Sequence, residues 1–320
     1  MPKRILVALD GSAQAECALP HALAMAHVLA AQIDLLLVVE PIAPPVEGMS
    51  SVDPLSWRFK KNEAEVYLSA IKTQLDQHTV GVTKTLLEGR AAEQIIKMAH
   101  DTNADLLILS CCGQHETDSK RSAFSPTVSQ VLQQHSISTL IVRVDQPIVP
   151  NIDGLHYTRV MVPLDGSRRA EAVLPTATLL AQTHNAELLL VHVVSAPDMA
   201  RRMPLSPEDS QLARQLVERN QAEGEQYLAQ LQIHLPGNVR TLLQISDHVA
   251  VTLQDIVEHE NIDLMILGAH GYSGASRWPY GSITNRFISD GSIPLLVVQD
   301  LANELPELQM TDSNVRQLGR

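Results

Sequence analysis

Aromatic residues are scarce: three Phe, two Trp and five Tyr make up 3% of 320 residues. The apolar fraction of 45% therefore rests on Leu, Ile, Val and Ala. Basic residues are outnumbered, 24 Lys and Arg against 36 Asp and Glu, for a formal net charge of −12. That balance excludes a general nucleic-acid binder or an anionic-membrane binder, which both need basic surface. It leaves a nucleotide open, because a nucleotide needs only local donors. Cysteine is limited to Cys17, Cys111 and Cys112. An odd count without framework spacing points to a reducing compartment. No run approaches the roughly twenty apolar residues of a membrane span. The N-terminal stretch Ile5 to Leu9 is closed by Asp10 and is too short for a signal sequence. These absences predict a soluble cytoplasmic protein without nucleic-acid or membrane partners. Also lacking are a Ser-His-Asp/Glu elbow, a Gly-Lys-(Ser/Thr) phosphate loop and a general base placed to attack with water.

What the chain has is a repeat. Asp10-Gly-Ser-Ala-Gln-Ala-Glu-Cys-Ala-Leu-Pro20 returns as Asp165-Gly-Ser-Arg-Arg-Ala-Glu-Ala-Val-Leu-Pro175, with seven of eleven positions identical at an offset of 155. The length suits two domains of about 150 residues, each able to bury its own core. In each half short β-branched runs alternate with helical stretches. The predicted strands are Arg4–Leu9, Asp34–Val39, Val82–Leu87, Asp105–Leu109 and Thr139–Val144, then Arg159–Leu164, Glu187–Val194, Val239–Ile245, Asp263–Leu267 and Pro294–Val298. Near-continuous apolar strands separated by helices indicate an α/β fold: a parallel sheet covered on both faces. Ser206-Pro-Glu-Asp209 is a helix start, with a capping serine, proline at the first helical position and acids in the first turn. Its counterpart runs roughly from Ser56 to Gln77. The division expected is a first domain over 1–146, a linker over 147–157, a second domain over 158–300 and a polar tail over 301–320.

One constellation carries chemistry. The strand Asp263-Leu-Met-Ile-Leu267 runs into Gly268-Ala-His-Gly271, and Gly281-Ser282 follows after nine intervening residues, opening a helix from Ile283 to Ser289. Glycines let a backbone approach phosphate closely, and a helix start offers free N–H groups and a positive dipole end. The hydroxyls of Ser282 and Thr284 are further donors, and Arg277 lies within the loop. The four glycines also fit a plain role as turn formers. Asp165 follows the strand ending at Leu164, where α/β sheets bind ligands. It suits a ribose, a base or Mg²⁺, and equally a helix cap. Asp10 carries the same ambiguity.

Both halves resemble universal stress protein domains, over about residues 3–145 and 158–299. The resemblance rests on Ile-Leu-Val-Ala-Leu-Asp-Gly-Ser, Val-Met-Val-Pro-Leu-Asp-Gly-Ser, Asp105-Leu-Leu-Ile-Leu and Asp263-Leu-Met-Ile-Leu-Gly-Ala-His-Gly. It implies two doubly wound domains, each with a five-stranded parallel sheet of order 3-2-1-4-5 and an adenine nucleotide between strands 1 and 4. In the family's ATP-binding members the loop is Gly-x2-Gly-x9-Gly-(Ser/Thr), matched here by Gly268, Gly271, Gly281 and Ser282. Ile283 follows as a further backbone donor, with His270 inside the loop. Pro163 and Asp165 match the adenine side, Val193 meets the base through its backbone, and Leu267 sits beside the ribose. ATP or another adenine nucleotide, with Mg²⁺, is the cofactor implied. The family also implies nucleotide sensing with at most slow hydrolysis, an internal pseudo-dimer through the fifth strands, and an unidentified protein partner. It leaves a homodimer of whole chains open.

The first half departs from this pattern. Alignment of Gly113 with Gly271 sets Ser110 against Gly268 and Cys112 against His270. Pro126-Thr127 then stands for Gly281-Ser282, after a loop three residues longer. Proline removes one donor, so the first repeat reads as degenerate and structural, although Lys120 and Arg121 could compensate. The turn Glu88-Gly89 into the next helix is family-like in the first half, where the second has Ser246-Asp247. Cys111-Cys112 with His115 falls short of the roughly four ligands of a metal site and reads as buried small residues. His192 reads as an interior histidine. Two other functions compete with the nucleotide sensor: a nucleotide-independent scaffold, and a weak ATPase or nucleotidyl transferase.

Overall fold

A computed structural model describes residues 3–40, 54–111, 125–134, 137–143, 152, 155–195, 207–272 and 280–299. The predicted residues Cys112, Gly113, His115, Lys120, Arg121, Arg277 and the tail lie outside them. The first repeat contains β1 (Lys3–Leu9), α1 (Ala13–Glu16), α2 (Ala18–Leu29), β2 (Ala31–Val39), α3 (Pro54–Leu75), β3 (Val82–Glu88), α4 (Ala91–Asp101), β4 (Leu106–Ser110), α5 (Pro126–Gln134) and β5 (Thr139–Val142). The second contains β6 (Arg159–Leu164), α6 (Arg168–Glu171), α7 (Leu174–His184), β7 (Glu187–Val194), α8 (Pro207–His234), β8 (Val239–Ile245), α9 (Val249–His259), β9 (Leu264–Gly268), α10 (Ser282–Asp290) and β10 (Leu295–Val298).

All ten strands form one sheet, ordered β3-β2-β1-β4-β5-β10-β9-β6-β7-β8. Each half follows the expected 3-2-1-4-5 order, and every pairing within a half is parallel. At the centre β5 and β10 pair antiparallel, with Leu140 opposite Leu296 and Ile141 opposite Leu295. The fifth strands thus join the repeats, and each covers the other's open edge.

Alternation along the strands explains the two cores. Ile5 and Val7 face one way and Leu6 the other; all three are fully buried. Val160 and Val162 share the first face, with Met161 on the second. One apolar core therefore packs beneath α2, α3, α7 and α8, the other beneath α4, α5, α9 and α10, and each continues through both repeats. The connection between the repeats contributes to this interior: Ile152 and Tyr157 are buried in the first core. Helices α2 and α7 end on Ala30 and Asn185, both in the left-handed conformation that closes a helix.

Candidate functional site

The carboxyl ends of β6, β7 and β9 meet where the strand order reverses. The β6–β9 ladder covers only Val160–Leu264 and Met161–Met265. Beyond it β6 stays with β7 as far as Leu164 opposite His192, and β9 stays with β10 as far as Gly268 opposite Val298. The two strands separate and open the crevice that doubly wound sheets use for ligands.

On the β6 side, Gly166 takes φ 78°, which admits glycine most readily. Ser167, not Asp165, caps α6: its hydroxyl accepts from the Ala170 amide at 3.1 Å. The first repeat does the same with Ser12 and the Ala15 amide, at 3.1 Å. The cap reading of the aspartates is corrected accordingly. Asp10 and Asp165 support the capping serines, and Asp165 has a second task. Its Oδ1 accepts from the Ser167 amide at 3.0 Å, and its Oδ2 accepts from the Tyr272 amide at 2.6 Å across the crevice. Partial burial works against ionisation of Asp165. The Ser167 hydroxyl and the Tyr272 and Ser167 amides outweigh it and hold the carboxyl below its usual range.

On the β9 side the loop is tightly stitched. A Cβ on Gly271 would overlap Asp165 Oδ2, so glycine permits the crossing. A Cβ on Gly268 would lie 3.2 Å from the His270 carbonyl and 3.3 Å from the Arg169 carbonyl. The Gly281 amide donates to the Ala269 carbonyl at 2.7 Å. Thr284, buried, donates its hydroxyl to the Gly268 carbonyl at 2.8 Å. Thr284 therefore spends its proton holding the loop, and the expectation of a donor to phosphate is corrected.

The start of α10 is the decisive feature. Gly281 is its N-cap and has no side chain with which to cap. The first-turn amides of Ser282, Ile283 and Thr284 have no acceptor within the helix. A Cβ on Gly281 would project over the loop, 3.6 Å from the Ala269 carbonyl and 3.7 Å from both the Gly271 amide and His270 Cα. The helix start thus lies directly against the glycine loop, with the Gly271 amide close by.

The first repeat has closed this feature. Ser125 is the N-cap of α5: its amide donates to the Cys111 carbonyl at 3.3 Å, as Gly281 does to Ala269. The Ser125 hydroxyl accepts from the Val128 amide at 3.2 Å. Ser125 therefore corresponds to Gly281, and Pro126 to Ser282. Aligning Pro126-Thr127 with Gly281-Ser282 is out by one position. Of three first-turn amides in α5, one is missing at Pro126 and one is consumed by Ser125.

The remaining predicted residues line the same end of the sheet. Pro163 lies opposite Val191 on β7, and Leu267 is buried opposite Val297. Val193 is half-buried, one strand further out, and His270 is half-buried within the loop. His192 is the satisfied interior histidine expected: its Nδ1 bonds the Leu164 carbonyl at 2.8 Å and therefore carries the proton. Gly224 makes room for it, since a Cβ there would lie 2.9 Å from the ring.

The family model for the universal stress protein family matches residues 1–143 and again 156–299. The chain belongs to the universal stress protein family. Universal stress protein A homolog 1 of Coxiella burnetii is 26% identical over 147 residues, covering 45% of this universal stress protein and 97% of its own length. A universal stress protein of Methanocaldococcus jannaschii is 26% identical over 149 residues, covering 44% and 82%. These relatives each span about one repeat. Two solved structures span both. A universal stress protein of Archaeoglobus fulgidus has a TM-score of 0.61 at 17% identity, over 92% of this chain and 98% of its own. A protein of unknown function from Pseudomonas aeruginosa has a TM-score of 0.64 at 14% identity, over 93% and 92%. At these identities the two structures share the fold with this universal stress protein.

Proposed function

We propose that this universal stress protein binds ATP or another adenine nucleotide in its second repeat and acts as a nucleotide-responsive sensor or regulator. The observation that carries the reading is the uncapped start of α10. An open helix N-terminus beside a glycine-rich loop is an anion site. The polyphosphate would lie against the amides of Ser282 and Ile283, with Gly268 and Gly271 beneath it. Asp165, kept ionised, would accept from the hydroxyls of a ribose or from a base amine. Among the described residues no cluster of three or more acidic, His or Cys side chains could hold a metal. Mg²⁺ would therefore arrive on the phosphates, keeping several waters. Asp165 is already engaged by the Ser167 and Tyr272 amides, which suits a binding role for it better than that of a general base.

Isothermal titration of ATP and Mg²⁺ into the nucleotide-free protein tests this reading. One site per chain is expected. Gly281→Asp would self-cap α10 and place a carboxylate over the donors. That variant should stay folded, gain a few tenths of a kcal/mol in stability, and lose binding. Absence of binding in the folded wild type would overturn the proposal and favour a nucleotide-independent scaffold.

A further inference from the structure

The corresponding crevice of the first repeat is not filled. At the carboxyl ends of β1, β2 and β4 lies a cavity of about 750 Å³, within the size range of small-molecule sites. Its walls are largely aliphatic, and among the described residues its charged lining is Asp10, Glu40, Glu63 and Lys60: three carboxylates against one ammonium. Glu40 accepts from the Ala91 amide at 2.6 Å at the start of α4, and Asp10 accepts from the Ser12 amide at 2.9 Å. Both charges are thus fixed in position. Lys60 donates to the Glu40 carbonyl at 3.3 Å. These described charges make the mouth negative on balance, and an aliphatic wall strengthens their field.

Two further features bear on what such a cavity would take. The helix start that faces it is closed by Ser125 and Pro126, so it lacks the amide cradle of the second repeat. At the end of β4, Ser110 lines the cavity, is only 8% exposed, and has a hydroxyl without a hydrogen-bond partner. A buried hydroxyl left unpaired is costly. Ser110 stands where the second repeat has Gly268.

We propose that the first-repeat cavity is a second ligand site, selective for an organic cation with an apolar body, and that it rejects phosphorylated ligands. The ammonium would be drawn by Glu63, Asp10 and Glu40, the apolar body would lie along β1 and β2, and Ser110 would bond a polar atom at the deep end. The duplication would then have produced two sites of opposite charge preference in one sheet. This inference stands apart from the nucleotide reading, since it uses only first-repeat residues.

The test compares three probes of similar size and different charge: 2-phenylethylammonium, 2-phenylethanol and 3-phenylpropionate. Binding to the full chain is followed by saturation-transfer NMR at low and high salt. The cation should bind best and the carboxylate not at all. Glu63 is exposed on α3, so Glu63→Lys should fold normally and weaken the cation roughly tenfold at low salt. Ser110→Leu should fill the deep end and abolish binding. Gly281→Asp should leave the cation's affinity unchanged, which separates this site from the second repeat. A carboxylate that binds as tightly as the cation would overturn the proposal. So would a cation signal insensitive to both first-repeat substitutions, or no cation binding at millimolar concentration.

Discussion

Arg143, at the end of the first repeat's β5, reaches into the second repeat, where its guanidinium lies 3.3 Å from the Phe287 carbonyl and also bonds the Ile288 carbonyl. These carbonyls belong to the last turn of α10, whose first turn forms the proposed anion site. A cation at a helix C-terminus satisfies orphan carbonyls and complements the dipole. One repeat therefore steadies the helix by which the other would hold phosphate. Arg143→Met keeps the apolar stem and removes the donors. It should cost about 1–2 kcal/mol, read by urea denaturation, and speed amide exchange in the last turn of α10. Unchanged exchange there would show that Arg143 is dispensable to the helix.

Gly271 and Asp165 form the second testable pair. A methyl at position 271 would occupy the place of Asp165 Oδ2. Gly271→Ala should push the carboxylate off the Tyr272 amide, and the Asp165 pKa should rise toward its ordinary value. The folded-state pKa is depressed, so this group stabilises the protein above its unfolded value and loses that contribution as pH falls through the folded one. The variant should therefore have a shallower acid-side loss. Side-chain carbon NMR of Asp165 against pH reports the shift; an unmoved midpoint would mean that the loop yields instead.

Much of this was legible in the sequence, for identifiable reasons. All ten strands were: the inner ones because Leu-, Ile- and Val-rich runs buried on both faces leave little ambiguity of period, and the edge strands β3 and β8, which are only partly buried, by their place in the repeat. The fifth-strand junction came from the family resemblance, and so did the fine assignments at Pro163, Val193 and Leu267. The position of the Asp-Gly-Ser turns was legible, although their chemistry was not: which oxygen caps a helix depends on backbone direction, and both Asp and Ser are capable. The first-repeat loop was misaligned by one because counting from Gly113 cannot locate a helix start, whereas the bonds of Ser125 do. The unfilled first-repeat cavity had no sequence signal, since its walls come from three strands and four helices far apart in the chain.

Asp34 is fully buried, and its carboxylate pairs with Arg4 at 2.7 Å and accepts from Thr83. Removing one partner of a buried pair leaves the other uncompensated. Arg4 keeps some access to water, which reduces the penalty. Asp34→Ala should cost about 2 kcal/mol, and Asp34→Asn less, since the Asn carbonyl still accepts from Arg4 while its NH2 can donate to the Thr83 hydroxyl. Equal losses in the two variants, measured by thermal denaturation, would assign the whole effect to charge.

Acid sensitivity should concentrate where the repeats meet on the α2–α7 side. His21 on α2 and Tyr157, from the connection between the repeats, share a hydrogen bond of 2.6 Å. Tyr157 also packs edge-on against His184 of α7, at 5.0 Å between ring centres, and His156 packs against His184 at 5.2 Å. Burial lowers the His21 pKa from 6.5 to about 4. Burial also lowers that of His184, with His156 beside it adding to the effect. A histidine depressed in the folded state favours unfolding once the unfolded chain can take up its proton. The contribution of these histidines to stability should thus be level above about pH 6.5, fall between 6.5 and 4, and level again below. His21 alone accounts for up to about 3 kcal/mol of that fall. His21→Gln does not titrate and can still bond Tyr157, so it should flatten the profile without a comparable loss at pH 7.5. Urea midpoints at pH 7.5, 5.5 and 4.5 decide it. A His21→Gln profile parallel to wild type would move the acid sensitivity to His184 and His156, which Asp263 and His27 also influence.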